Sequence, residues 1–223
     1  MKHEAIARVC DALSVGRMDK GAELLSKSFL MNTSSQLSLK KEKKNRHEID
    51  DVERLTIFYR DGFIDRYTGR RLIFPGTLLL ISAIFPRQIP HYSHPTLGSC
   101  NPSYYELFPT VDHIVPVARG GTEDQRNLCT TSVGMNAVKS DYTLNELGWT
   151  LHKGGSWADW DGLTEWFMKQ AEVRSEVQQD GVLTSWLAAA EAVLPKLRVL
   201  TCGSRPVPHR RSFALSRRLR AEG

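Results

Sequence analysis

Apolar residues recur at helical spacing from the start of the chain. Ile6, Val9, Cys10 and Leu13 predict one helix, and Leu24, Leu25, Phe29 and Leu30 a second, after the break at residues 16–21. Residues 32–46 are rich in Ser and Lys with few apolar positions, the composition of an exposed linker. From residue 51 the pattern changes. Residues 55–59 and 71–74 are β-prone, with Gly62 and Gly69 marking turns around them. Residues 78–85 are the most apolar run and read as a buried strand or helix. Residues 87–109, rich in Pro, His, Ser and Tyr, read as a long irregular excursion.

The next stretch has the clearest organisation. Residues 110–116 are β-prone and end in proline, residues 117–126 form a polar loop, and residues 128–131 predict a second short strand. Residues 132–140 then allow about two helical turns. Thr143 and Glu146 fit a capping box, opening a short helix that Gly148 ends. A second capping box at Ser156 to Asp159 would open a helix with Trp160, Leu163, Trp166 and Phe167 on one face. A further helix is expected over residues 182–194, with Trp186, Leu187, Ala190 and Val193 inward and Pro195 at its end. These tryptophans read as helix core rather than as platforms for bases. The chain divides into 1–50 (helices and linker), 51–155 (a central unit) and 156–223 (helices and a basic tail), with no internal repeat.

Composition narrows the partners. The chain has 223 residues, 41% hydrophobic and 25% charged, as expected of a folded protein. Net charge is +5 and the sequence pI about 9.1, which suits a polyanionic partner. The charge is uneven: Lys40, Lys41, Lys43, Lys44 and Arg46 form one cluster, and residues 196–220 carry eight Lys or Arg and no acid. No apolar segment reaches bilayer-spanning length, and the N-terminus lacks a secretory pattern. Four scattered cysteines (Cys10, Cys100, Cys129, Cys202) without a CxxC signal neither disulfides nor a zinc knuckle. A cytoplasmic protein without membrane contact is expected.

Within residues 112–141 the chain offers chemistry. Asp112 precedes His113, Arg119-Gly120-Gly121 makes a turn, Asn127 follows, and Asn136 stands three residues before Lys139. Phosphodiester hydrolysis needs an activated water, a counter-charge for phosphorus and help for the leaving oxygen. A neutral imidazole can supply the first and one metal ion the others. Neighbouring strand residues point to opposite faces, so Asp112 and His113 share a site only where the strand ends or bends.

This pattern resembles the HNH nucleases, in the variant whose last ligand is Asn. The resemblance covers roughly residues 55–150 and implies an α+β protein with a ββα-metal (His-Me finger) core at about 110–141, flanked by N- and C-terminal helices. By position it makes His113 the general base, Asn127 the residue that holds the loop and orients that histidine, and Asp112 and Asn136 the metal ligands. Lys139 and Arg119 would contact nucleic acid. The implied cofactor is one Mg²⁺ or Mn²⁺ ion, suited to hard oxygen ligands, and the implied products are a 5′-phosphate and a 3′-hydroxyl. Many members carry two CxxC pairs for a structural zinc. Here the four positions are Asp65, Thr68, Ser132 and Met135, so no structural zinc is expected and packing should take its place.

The expected function is metal-dependent endonucleolytic cleavage of DNA, in a setting such as restriction or phage defence. A homodimer, or a partner subunit supplying targeting, is compatible with it. Two alternatives stay open: an RNA-directed nuclease (a toxin or stress effector), and a non-catalytic nucleic-acid-binding module. His91 and His94, in the loop before the motif, and His152 after it are weaker candidates, as is phosphate binding by Arg210, Arg211, Arg217, Arg218 and Arg220.

Overall fold

In the computed structural model, residues 1–29, 49–91 and 102–202 are described. The Lys/Ser-rich linker, His94 and the tail arginines lie outside them. α1 (Lys2–Ser14) buries Ile6, Val9, Cys10 and Leu13, and α2 (Met18–Ser28) packs on it through Leu25. Phe29 is buried just past its end.

The stretch expected as a strand at residues 55–59 is instead helical: α3 spans Asp51–Arg60. Asp50 caps it by accepting from the Glu53 amide, Asp51 and Glu53 sit in the first turn, and Arg60 sits in the last. Each favours a helix at its own end of the dipole. Leu55, Ile57, Phe58 and Tyr59 are buried on several sides, and that burial overrides their β propensity. Residues 71–74 make only one bridge, Ile64 to Arg71; the Ile73 amide then donates to Leu107 and that of Phe74 to Gly162. Partners from three separate segments cannot form one ladder. The apolar run forms α4 (Pro75–Ile84), and α5 (Pro102–Leu107) replaces the end of the stretch expected to be irregular.

β1 (Pro109–His113) pairs antiparallel with β2 (Leu128–Ser132), in a register running from Pro109↔Ser132 to His113↔Leu128. Short 3-10 turns at Val117–Arg119 and Gln125–Asn127 fill the connection. The Ser132 hydroxyl accepts from the Met135 amide (3.2 Å) and caps α6 (Val133–Lys139). α7 (Leu144–Leu147) lies between the Thr143–Glu146 capping box and Gly148 in the left-handed conformation, as its sequence predicts.

Two C-terminal expectations fail. Ser156 to Asp159 form a turn, and α8 (Thr164–Ala171) starts later, where the Asp161 carboxylate accepts from the Leu163 and Glu165 amides. Trp160 therefore precedes the helix, buried, with its indole N–H donating to Leu72 O (2.8 Å). After α9 (Ser175–Gln179), α10 (Gly181–Cys202) runs through Pro195. Proline removes one helical bond, but buried Val193 and Leu194 before it and part-buried Leu197 after it keep both halves packed on the core. Residues 197–202, read as tail, are thus helical.

The core is aromatic: the Phe74 ring lies 5.3 Å from Phe167 and 5.6 Å from Trp186, centre to centre. Residues from α1, α3, α4, α8 and α10 join the same buried cluster, so all three sequence stretches contribute to it. The described residues are mostly helical, with one small two-stranded sheet, an α+β arrangement with helices before and after the sheet. Among them no helix is long and apolar enough to cross a membrane.

Candidate active site

Two buried carboxylates fix the strand pair to α3. Asp61, at the end of α3, accepts from Arg60 and Arg66 and from the Thr130 amide of β2 (2.8 Å). Arg60 also donates to Gln125 O (2.8 Å) and Leu128 O (2.7 Å). Asp65, 1% exposed, accepts from the Tyr67 amide (2.9 Å), the Thr131 hydroxyl (3.1 Å) and the Ser132 amide (3.1 Å). The Thr68 amide donates to Asp65 O, and the Met135 amide to the Ser132 hydroxyl. Of the four positions that carry zinc cysteines in the resemblance, Asp65 and Ser132 are thus joined through the Asp65 carboxylate, Thr68 through the Asp65 carbonyl and Met135 through the Ser132 hydroxyl.

β1 ends at His113 and the chain bends at Ile114 and Val115; the Asp112 side chain meets Tyr67 and Lys139, and that of His113 meets Glu123. Asp112 Oδ2 accepts from the Tyr67 hydroxyl (2.7 Å) and pairs with Lys139 Nζ (3.0 Å). Burial, reinforced by the nearby Cys129 and Asp112, raises the Tyr67 pKa, so the phenol stays protonated and donates. Burial also pushes the Cys129 thiol up to about 12, which leaves it inert as a nucleophile. Lys139, expected to meet a phosphate, instead turns inward. Its side chain is fully buried, donates to His113 O (2.8 Å) and lies over the Tyr67 ring.

The loop is closed by Asn127. Its Oδ1 accepts from the Val115 amide (2.9 Å), and its Nδ2 donates to Val115 O (2.9 Å) and Thr122 O (2.8 Å). The Ile114 amide donates to Asn127 O (2.7 Å), extending the ladder by one bond. The two glycines have separate reasons. Gly120 has φ 87°, a left-handed conformation, while a Cβ on Gly121 would stand 1.8 Å from Val115 O. His113 Nε2 lies 2.8 Å from Glu123 Oε2, on the same loop.

Asn136 is half-buried on α6, and its side chain makes no hydrogen bond among the described residues. Lys139, three residues on, reaches Asp112, so the α6 face that carries both residues is turned toward β1. Arg119 is half-exposed, directed at Asp141 O (3.4 Å) and Glu146 (3.6 Å) across the edge of the site. His91 packs on Tyr104. The backbone of His152 pairs with that of Arg66.

Among the described residues Asp112 Oδ1 makes no hydrogen bond; with the Asn136 amide oxygen it would offer hard donors of the kind that suit an oxygen-loving divalent cation that keeps waters. Among the described residues no group of three His, Cys, Asp or Glu side chains surrounds one point. A two-ligand site built on Asp and Asn does not require such a group. Sequence reasoning missed Glu123 and the hydroxyl of Tyr67. Glu123 had no signal beyond following the Gly-Gly turn, and nothing in the spacing singled out the Tyr67 hydroxyl. Comparison with protein-family models, with curated proteins and with solved structures finds no match for this chain.

Proposed function

We propose that the chain is a metal-dependent endonuclease of the HNH type, with a ββα-metal core made of β1, β2 and α6, hydrolysing phosphodiester bonds in DNA. The observation that carries this reading is the antiparallel hairpin of β1 and β2, its loop closed by Asn127, with α6 tied to β1 through Lys139 and Asp112. His113 stands where β1 stops, Asn127 closes the loop after it, Asp112 precedes it, and the α6 face bearing Asn136 turns toward β1.

His113 takes the proton from the attacking water. Asn127 keeps the 114–122 loop in place, so the imidazole does not drift with it. Asp112 and Asn136 would hold Mg²⁺ or Mn²⁺, which when bound supplies counter-charge to the phosphorus and to the leaving oxygen. Tyr67 orients Asp112 through its hydroxyl. Arg119, half-exposed at the edge, would contact a backbone phosphate.

One observation favours a second reading, the non-catalytic nucleic-acid-binding module: Lys139 already neutralises Asp112. Incubation of supercoiled plasmid with Mg²⁺, Mn²⁺ or EDTA, with structured RNA in parallel, separates the cases. Nicking or linearisation that needs the metal supports the DNA nuclease. Cleavage of RNA at lower enzyme concentrations moves the substrate to RNA. Binding that weakens with salt, without cleavage of either polymer, supports the module.

A further inference from the structure

We propose that Glu123 is the positioning residue for His113, holding its imidazole in the tautomer with hydrogen on Nε2 and leaving Nδ1 as the proton acceptor. The proposal rests on the reading of His113 as the base. Its geometric ground is the 2.8 Å contact between His113 Nε2 and Glu123 Oε2. An ionised carboxylate only accepts, so the shared hydrogen belongs to Nε2, and the lone pair of the neutral ring is then on Nδ1. No described residue donates to or accepts from Nδ1.

Both partners are held from the main chain. His113 O accepts from Lys139, and the next amide, Ile114, donates to Asn127 O. Glu123 stands between two tethered neighbours: Thr122 O accepts from Asn127 Nδ2, and the Asp124 carboxylate accepts from the Arg126 amide (2.8 Å). The His113 side chain is 13% exposed and that of Glu123 48%, so the pair opens to water on the carboxylate side and the ring stays fixed. As His113 takes a proton on Nδ1, the imidazolium formed faces a carboxylate, the arrangement that steadies a catalytic histidine elsewhere.

The test is ¹⁵N NMR of the imidazole rings in the full chain without metal. His113 signals are assigned by their loss in His113→Gln, and plasmid cleavage is measured on the same proteins. The expected result is an Nε2–H tautomer in the wild type and a mixture in Glu123→Ala. Glu123→Gln restores the Nε2–H form, because its amide oxygen still accepts. In cleavage, Glu123→Ala lowers kcat roughly 10- to 100-fold with little change in KM, and Glu123→Gln recovers part of the loss. An Nδ1–H tautomer in the wild type, or unchanged tautomers in Glu123→Ala, overturns the proposal even if DNA is cut. The expected tautomers in a protein that cuts nothing would uphold the pairing and remove the nuclease reading instead.

Discussion

Replacing Asp65 by alanine removes one of the two buried carboxylates that tie the 61–70 segment to β2. The carboxylate is 1% exposed and accepts from the Tyr67 and Ser132 amides and the Thr131 hydroxyl. In Asp65→Ala the hydroxyl can rotate, but the two main-chain donors stay buried with no acceptor. An orphaned buried donor costs about 1–3 kcal/mol, so the pair should cost about 4 kcal/mol. For a domain of this size 1 kcal/mol lowers Tm by roughly 2–4 °C, which gives a fall of roughly 8–16 °C. Asp65→Asn keeps an acceptor for Tyr67 and Thr131 but sets an amide N–H₂ against the Ser132 N–H, so it should fall between. Thermal and urea unfolding followed by circular dichroism reads both. If Asp65→Ala unfolds within about 0.5 kcal/mol of the wild type, the size of a neutral surface change, the Asp65 carboxylate contributes nothing to joining the two segments.

Gly121→Ala should lose about 1–3 kcal/mol, because its Cβ meets Val115 O at 1.8 Å, while Gly120 has open space and only its φ to defend. Equal losses in Gly120→Ala and Gly121→Ala, measured by urea unfolding, would contradict that distinction. Lys139→Met removes the ammonium 3.0 Å from Asp112 and should tighten Mg²⁺ binding by about tenfold, or about 1.4 kcal/mol, in titration calorimetry. Unchanged affinity would take Asp112 out of the ligand set. Burial, then the Arg71 cation, holds the His3 pKa below its ordinary value, and burial does the same for His91. The unfolded chain therefore binds protons first as pH falls, so this stability is full above about pH 6.5 and is lost below it. Tm should drop between pH 7 and pH 5, and less steeply in His3→Phe; parallel slopes in the two proteins would refute the assignment.

What could be read in advance followed from local rules. The strand, loop, strand and helix of residues 109–139 are marked by signals a few residues apart: a proline that ends the first strand and a glycine pair in the loop. α7 was legible for the same reason. α3 was not, since its β-branched and aromatic residues are helical only because helices distant in sequence bury them. Pro195 misled because tertiary packing outweighs one missing hydrogen bond. At the site, residue types indicated Asp112, His113, Asn127 and Asn136, but not where their side chains turn. The inward course of Lys139 depends on the depth at which α6 sits against β1, and the Glu123 contact on how the loop folds back over it. Neither distance is written in spacing.

The most direct test of the central claim compares His113→Ala with the wild type, measuring plasmid cleavage in Mg²⁺ or Mn²⁺ and DNA binding under the same salt. The account predicts cleavage lost by two or more orders of magnitude, roughly the worth of a general base, with DNA affinity nearly unchanged. Cleavage by His113→Ala at close to the wild-type rate would contradict it.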